Sequence, residues 1–558
     1  MNSRKLNLAL LPLDDRPVNY DYPLYLARLA GCALHVPPRE WLGNPWRQSQ
    51  HTRLVDWLVQ EAKTANGLVV AIDTLAYGGL IPSRTSPDPL EVVLQSLSIL
   101  RQVKAARPEL PVLASSVIQR ICRNNSSEEE KDYWAAFGRA MFRLSYLEHK
   151  TALGEADAAE IAESAELRAG IPDAVYDDYR HGRRRNHAVN RAMLDWVADD
   201  MLDYLILPQD DTADYGWNIV EARALQTRIR SLGISERAIT YPGADEIGCL
   251  LLASAICRQV GFKPRVWPRY SSVLSPGVIT AYEDRPIHEL VKAHLAPLGG
   301  SLASSAEDAD LQLFINAPTQ SQGEGLYQWL AWRGVEILKS ETTSPLILEM
   351  LEQANGDRLF QVTRREMESP RRSPEEFARA LWAEMAAGRP VALADVAFVN
   401  GSDLILGDLL AQNPAVVGLC AYGGWNTAGN TLGTVLAQAV LCILAQRSGS
   451  QPAQMQAHLE FLFMRLLDDY AYQARERTLA MLEDLPAQGL PPTFERIPEP
   501  AFSEIEASIA RRLQRSAAGL EQVFIRSGKV SQVRVSDIYL PWKRLFEVGF
   551  DVKVTLEK

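Results

Sequence analysis

Short apolar runs alternate with longer segments of helical periodicity along the first half of the chain. The apolar runs predict strands at residues 6–12, 33–36, 68–72, 111–117, 203–208, 238–242, 264–267 and 277–281. Helical patterns lie between most of them, at 50–64, 89–106, 128–148, 187–201, 218–232 and 246–260. Regular alternation of strand and helix is typical of a mainly parallel sheet, and eight such units fit a (β/α)8 barrel. We therefore predict an α/β fold whose first domain, residues 1–275, is barrel-like.

The second half of the chain predicts two further regions. Residues 276–450 indicate a second α/β domain that contributes a loop to the pocket, and residues 451–558 indicate a mixed α+β C-terminal segment. Within these regions we expect strands at 311–315, 391–399 and 416–421, an exposed connection at 363–378, helices at 452–484 and 501–523, and paired strands within 530–555. The longest insertion of the first domain, from about 120 to 200, is expected to form helices that cover the barrel mouth.

Acidic side chains follow four of the predicted strands of the first domain. They are Asp14 and Asp15, Asp73, Asp210 and Asp211, and Asp245 and Glu246. Ligands of α/β folds bind beyond the carboxyl ends of the strands. The pattern therefore predicts an acidic, polar pocket at one face of the sheet or barrel.

The adjacent pair Asp210 and Asp211 is the strongest candidate for catalysis. Conventional retaining glycosidases use two carboxylates that stand apart on different strands, whereas neighbouring carboxylates suit hydrolysis in which the 2-acetamido oxygen of the substrate attacks. One carboxylate then orients the acetamido N–H, and the other acts as acid and then as base. Mutual repulsion raises the pKa of one of them, as a general acid requires. A metal-binding pair and a helix-capping pair are the alternatives.

Several other polar or aromatic residues are candidates for binding substrate. In the first domain they are Asp14, Asp15, Arg16, Asp73, Tyr77, Arg84, Tyr215, Asn218, Asp245 and Glu246. In the second domain they are Tyr422, Trp425, Asn426 and Asn430, from a Gly- and Asn-rich loop without a nucleotide-binding signature. Each set has a structural alternative: Arg16 can lock Asp14 by an ion pair, Gly78-Gly79 can be a plain turn, and Asp245 and Asp403 can cap helices.

Composition narrows the classes of partner. A net charge of −11 argues against a nucleic-acid or anionic-membrane surface, although the basic run Arg183–Arg185 is interpreted as a solvated helix start or a phosphate contact. The six cysteines form no CxxC pair, and the eight histidines form no HxH or HExxH motif, so we expect buried thiols, no zinc site and no cofactor. The N-terminus resembles a strand rather than a signal peptide, so a cytoplasmic location is expected. The oligomeric state is open, with a homodimer among the alternatives.

Five motifs resemble those of a bacterial family that is known as a domain of unknown function. They are Pro12 to Pro17, Asp73 to Arg84, Tyr241 to Gly248, Tyr422 to Gly433 and Pro541 to Arg544, and the match runs essentially from end to end. The Asp210-Asp211 strand end is similar to that of the substrate-assisted β-N-acetylhexosaminidases, including the O-GlcNAcase type. That resemblance implies that Asp210 polarises the acetamido group and that Asp211 is the general acid and base.

These observations lead to one hypothesis and two alternatives. The hypothesis is a retaining exo-β-N-acetylhexosaminidase that acts on carbohydrates with a terminal 2-acetamido sugar, GlcNAc or GalNAc. The first alternative is a phospho- or nucleotide-hydrolase that binds a metal through Asp14, Asp73, Asp210 and Asp245. The second is a sugar-binding protein without catalytic activity.

Overall fold

The computed structural model describes residues 6–337, 358–493 and 495–557. Their contacts divide the chain into two compact units. Unit 1 consists of Met1–Pro23, Cys32–Ala255 and Tyr282–Asp284, and unit 2 consists of Leu24–Gly31, Ile256–Ala281 and Arg285–Lys558. Both units contain a parallel sheet with helices, so the predicted α/β class is confirmed.

Unit 1 is built on a six-stranded parallel sheet. Its strands are β1 (Asn7–Leu11), β2 (Ala33–His35), β3 (Gly67–Ala71), β4 (Val112–Ser115), β5 (Tyr204–Gln209) and β6 (Ala238–Pro242), in the order β2-β1-β3-β4-β5-β6. β3, β4 and β5 are buried at every position, as expected for central strands of a sheet that is covered on both faces. The strand order reverses between β1 and β3, and crevices at such reversals are where open α/β sheets bind ligands.

The predicted eight-stranded barrel is not confirmed. Residues 264–267, expected as the seventh strand, belong to β7 (Arg265–Tyr270), which pairs in the sheet of unit 2. Residues 277–281, expected as the eighth, contain no strand. The six remaining strands form a sheet in which β2 and β6 stand at opposite ends of the order. Apolar periodicity predicted most of the strands, but periodicity carries no information about which strands pair.

Unit 2 contains a five-stranded parallel sheet. Besides β7, its strands are β8 (Ser301–Leu302), β9 (Leu311–Asn316), β11 (Val391–Asp395) and β13 (Ala421–Gly423). The strand order is β13-β11-β9-β7-β8. Two smaller pairs accompany it: β10 (Gly323–Glu324) with β12 (Phe398–Val399), and the antiparallel β14 (Val530–Tyr539) with β15 (Gly549–Leu556). The predicted paired strands at the C-terminus are therefore confirmed.

The helices have the following bounds. Up to residue 260 they are α1 (Pro17–Ala30), α2 (His51–Ala62), α3 (Ile72–Tyr77), α4 (Leu80–Thr85), α5 (Leu90–Ala106), α6 (Trp134–Ala152), α7 (Ala158–Gly170), α8 (Asp173–Ala198), α9 (Trp217–Ser231) and α10 (Ile247–Val260). Beyond it they are α11 (Ile287–Leu295), α12 (Gly325–Ile337), α13 (Arg358–Met367), α14 (Pro374–Ala386), α15 (Leu404–Leu410), α16 (Ala428–Arg447), α17 (Pro452–Arg465) and α18 (Ala501–Arg526). After α17 the chain remains helical to Ala487, largely as π-helix over Leu466–Glu476 and Ala480–Asp484.

Two features of these helices bear on the sequence predictions. The segment 363–378, expected as an exposed connection, contains the end of α13 and the start of α14, where Ser373 caps α14 by accepting from the Glu376 N–H. Among the described residues, α16 is the one helix that is long and apolar enough to span a membrane, and 89% of its apolar window is buried inside the protein. None of the six cysteines, all of which lie in the described ranges, forms a disulfide, and all except Cys122 are buried.

Candidate active site

Asp210 and Asp211 lie directly beyond the carboxyl end of β5. The Asp210 N–H donates to the Ile118 carbonyl at 3.2 Å, which anchors the turn to the segment that follows β4. Asp211 has a φ of 50°, in the left-handed region, and its carbonyl accepts from the Asn218 side-chain amide at 3.1 Å. Asn218, a predicted binding residue, therefore holds the turn that presents the acidic pair.

Arg84 contacts the first of these carboxylates. Its Nη2 donates to Asp210 Oδ2 at 2.6 Å, and its Nη1 donates to Glu129 Oε2 at 3.0 Å. The Arg84 side chain is only 1% exposed, so this guanidinium is a buried cation. Arg84 was predicted to bind substrate, whereas the structure places it against Asp210, where it compensates buried negative charge.

The position of Arg84 is set by the helix α8. Arg185 Nη2 and the Asn186 amide both donate to the Ser83 carbonyl, at 3.0 and 2.9 Å, and hold the end of α4 in place. The expectation of a solvated helix start at Arg183–Arg185 is therefore wrong for two of its residues. Arg183 is buried and forms an ion pair with Glu221 at 2.6 Å, and Arg185 is buried against backbone carbonyls.

A second arginine, Arg120, approaches the pair from the segment after β4. It lies 2.8 Å from Glu129, 3.5 Å from Asp211 Oδ2 and 3.6 Å from Glu130. Glu130 Oε1 is buried without a hydrogen-bond partner and lies 3.8 Å from Arg84. We call this group the carboxylate–arginine cluster, and its members are Arg84, Arg120, Glu129, Glu130, Asp210 and Asp211.

The protonation of the cluster is shaped by burial. The pKa of Asp211 is raised by desolvation; Arg120 opposes this shift, and the negative charge of Asp210 adds to it. Asp73, which begins α3 after β3, is fully enclosed, and desolvation raises its pKa to about 7, while the hydrogen bond that it accepts from the Val117 N–H lowers it. Carboxyl groups with raised pKa values in a cleft are typical of functional sites.

A cavity of about 840 Å³ adjoins the cluster through Glu130, which lines it. Its other walls come from the loop at Pro45 and Trp46, from α4, from the segment 127–133 and from the start of α8. All of these elements belong to unit 1. The volume lies within the range of small-molecule binding sites.

Residues 8–551 match the sequence model of a family described as "Protein of unknown function (DUF4127)". The chain belongs to the DUF4127 family. The match covers nearly the whole chain, as the resemblance of its motifs predicted. No curated protein shows significant similarity to it.

The first motif of this DUF4127 protein, Pro12 to Pro17, takes part in a buried network of ion pairs and hydrogen bonds. Arg16 donates to Asp14 Oδ2 at 2.7 Å and to Asp245 Oδ1 at 2.5 Å, and Asn19 donates to Asp14 Oδ1 at 2.9 Å. All three charged side chains are buried. Their donors and acceptors are directed at each other, so the ion-pair alternative describes Asp14, Arg16 and Asp245 better than a direct substrate contact.

Four other predicted binding residues of unit 1 contact residues outside the carboxylate–arginine cluster. Asp15 forms an ion pair with Arg47 at 2.7 Å. The Arg185 guanidinium lies over the ring of Tyr77, 4.9 Å from the ring centre. Tyr215 donates to Glu155, and Glu246 is fully buried with its carboxyl group against Gly243. The residues that the structure brings to the acidic pair are thus Asp73, Arg84 and Asn218.

The Gly- and Asn-rich loop lies in unit 2. Tyr422 is hydrogen-bonded to Ser402, Trp425 packs against Phe546 at 5.7 Å between ring centres, and the Asn426 carbonyl accepts from the Asn400 N–H at 3.2 Å. Asn430 is in the first turn of α16, which Thr427 caps. All four predicted residues, Tyr422, Trp425, Asn426 and Asn430, are buried.

Unit 2 also contains a buried polar network that sequence analysis did not predict. The Asn316 amide donates to Asp395 Oδ1 at 2.8 Å, and Arg372 is paired with Asp403. Asp403 accepts from the Ile405 and Leu406 N–H groups, so the helix-cap interpretation of this residue is confirmed. Desolvation and the charge of Asp403 raise the pKa of Asp395 to about 8. These contacts join the carboxyl ends of β9 and β11 to the start of α15.

Within the described residues, no group of three or more His, Cys, Asp or Glu side chains is arranged to hold a metal ion. In the carboxylate–arginine cluster the negative charge is instead opposed by Arg84 and Arg120. Those arginines were missed as partners of the acidic pair, and so were Glu129 and Glu130.

Proposed function

We propose that this protein is a retaining exo-β-N-acetylhexosaminidase that uses the acetamido group of its substrate as the nucleophile. The observation that carries the proposal is the different surroundings of two adjacent carboxyl groups beyond β5. Asp210 is bonded to a buried guanidinium at 2.6 Å, whereas Asp211 has a raised pKa and a side chain that is 33% exposed. Two carboxyl groups whose surroundings give them different pKa values are typical of the acid–base pairs of hydrolases.

In the first step Asp210 orients the substrate. Arg84 occupies Asp210 Oδ2, and the other carboxylate oxygen would accept the acetamido N–H. This hydrogen bond directs the acetamido carbonyl oxygen at the anomeric carbon. As that oxygen forms its bond to the anomeric carbon, the glycosidic bond breaks and Asp211 gives its proton to the departing oxygen.

In the second step Asp211, now ionised, takes a proton from water. The water oxygen attacks the anomeric carbon, and the bond to the acetamido oxygen breaks. Two displacements at one carbon give net retention of configuration. Arg120, 3.5 Å from Asp211, compensates the charge that appears on this carboxylate between the two steps.

A panel of 4-nitrophenyl glycosides tests the proposal. We expect release of 4-nitrophenol from the β-GlcNAc or β-GalNAc glycoside and no release from the β-glucoside and β-galactoside, which lack the acetamido group. The rate should be the same with and without EDTA, because the proposed steps use only carboxyl groups and the substrate.

The panel also separates the proposal from its alternatives. Hydrolysis of the β-glucoside at a comparable rate would contradict an acetamido nucleophile. Activity that EDTA removes and Mg²⁺ or Mn²⁺ restores would favour the metal-dependent hydrolase.

A further inference from the structure

A cavity of about 390 Å³ in unit 2 lies where the topology of its sheet favours a ligand. Thr319, Gln320 and Ser321 line this cavity, and they follow the carboxyl end of β9. The strand order of the sheet reverses between β7 and β9, because β8 lies on one side of β7 and the later strands lie on the other. Open α/β sheets bind ligands in the crevice beyond the strand ends at such a reversal. The volume is sufficient for a small molecule.

The loop that forms one wall of the cavity is held by hydrogen bonds at both ends. Ser275 Oγ, from the segment after β7, donates to the carbonyls of Ala317 and Pro318 at 3.2 and 2.9 Å. At the other end, the Gln322 side-chain amide donates to the Val396 carbonyl at 2.9 Å. The wall is therefore formed by contacts within the protein, and a ligand would bind it with little loss of backbone freedom.

The opposite wall, at the end of α13, carries two carboxyl groups, and both have partners in the protein. Glu366 accepts from the Thr319 N–H at 2.9 Å and from the Thr319 hydroxyl at 3.0 Å, which joins the helix to the loop. Glu366 also lies 3.5 Å from Arg372. Glu368 forms an ion pair with Arg364 at 3.0 Å. The negative charge of the lining is therefore compensated by residues other than the two arginines that line the cavity.

Those two arginines, Arg365 and Arg371, are exposed and line the cavity. Neither guanidinium forms an ion pair with a carboxylate of residues 6–337, 358–493 or 495–557. Arg365 Nε donates to the Gln361 carbonyl at 3.1 Å, and the Arg371 N–H donates to Ser369 Oγ at 3.4 Å. Two guanidinium groups without a counterion give the cavity a positive charge, which favours an anionic ligand.

We propose that this cavity binds the phosphate group of a small phosphate monoester, with Arg365 and Arg371 as the groups that bind the phosphate oxygens. The planar fork of an arginine donates two parallel hydrogen bonds to such oxygens. A phosphate monoester carries about two negative charges at neutral pH, which matches the two arginines. The exposed Ser321 hydroxyl and Gln320 amide, on the wall formed by the loop, supply further donors. The inference goes beyond the proposed function and does not depend on it.

Isothermal titration calorimetry of the full chain tests the inference, with phenyl phosphate and phenyl sulfate as probes at one ionic strength. The wild type should bind phenyl phosphate at least about five-fold more tightly, because the sulfate ester carries one negative charge less. The double variant Arg365→Gln/Arg371→Gln should bind phenyl phosphate at least about ten-fold more weakly than the wild type, and each single variant about three-fold more weakly. Arg379→Gln is the matched control and should bind as the wild type does, because Arg379 is 71% exposed on α14 and does not line the cavity.

Urea unfolding separates a loss of binding from a loss of fold. Without phenyl phosphate, the double variant should unfold at the same urea concentration as the wild type, because both arginines are exposed. With phenyl phosphate present, the wild type and Arg379→Gln should unfold at a higher urea concentration, and the double variant should not. The inference is overturned if the wild type fails to bind phenyl phosphate at millimolar concentration, if the double and single variants bind it as the wild type does, or if phenyl sulfate binds as tightly.

Discussion

Replacing Asp211 with asparagine should lower kcat/KM for a β-linked GlcNAc disaccharide by about 10²–10⁴-fold, the usual contribution of a general acid and base. Asparagine is nearly isosteric with aspartate but cannot give a proton to the leaving sugar. The loss should be smaller for the 4-nitrophenyl glycoside, because nitrophenolate leaves with little need of a proton. Asp210→Asn should be impaired on both substrates, since orientation of the acetamido group is needed whatever the leaving group.

The dependence of activity on pH should also change in a defined direction. Asp211 must be protonated to act as an acid, so activity of the wild type on the disaccharide should fall as the pH rises through the raised pKa of Asp211. This alkaline limb should be absent from the residual activity of Asp211→Asn. Asp214→Asn, in an exposed position of the same loop, is the control. Wild-type rates in both Asp210→Asn and Asp211→Asn would exclude this pair from the chemistry.

Replacing Arg84 with methionine should lower the free energy of unfolding by about 3–5 kcal/mol, the usual cost of removing one partner from a buried ion pair. Methionine fills much of the volume of the arginine stem but removes the donor that Arg84, 1% exposed, supplies to Asp210. Glu129 keeps its contact with Arg120. Urea unfolding of the full chain measures the effect. Activity should also fall, because Asp210 loses the contact that orients it.

Arg237→Met is the matched control, because Arg237 forms an ion pair with Asp200 on the surface of the same unit, with side chains that are 36% and 83% exposed. It should cost about 1 kcal/mol or less. An equal, small loss in both variants would show that the buried pairs of Arg84 have no special role.

The acidic strand end was predictable because it depends on local sequence. An apolar run is followed at once by Asp210 and Asp211, and β5 ends at Gln209, one residue before them. The α/β class followed in the same way from alternating patterns. The acidic strand end and each strand or helix pattern depend on residues that are close together in the sequence.

The pairing of distant segments was not predictable from these patterns. β7 has the apolar run of a seventh barrel strand, but its partners β8 and β9 lie further along the chain in unit 2. Arg120, Glu129 and Glu130 lie in a segment expected to form covering helices, and no local pattern relates them to Arg84 or to the acidic pair. The sequence left two interpretations of Arg16 open, a substrate contact and an internal ion pair. Only the distances from Arg16 to Asp14 and Asp245 favour the ion pair.

The participation of the substrate is tested most directly by altering the nucleophile itself. Aryl β-glycosides of glucosamine that carry acetyl, fluoroacetyl, difluoroacetyl or trifluoroacetyl groups on nitrogen differ in the electron density of the attacking carbonyl oxygen. If that oxygen attacks the anomeric carbon, kcat/KM falls steadily with each added fluorine. Rates that do not change along this series, in a protein that hydrolyses the unsubstituted acetamido glycoside, would contradict the account and require a nucleophile supplied by the protein.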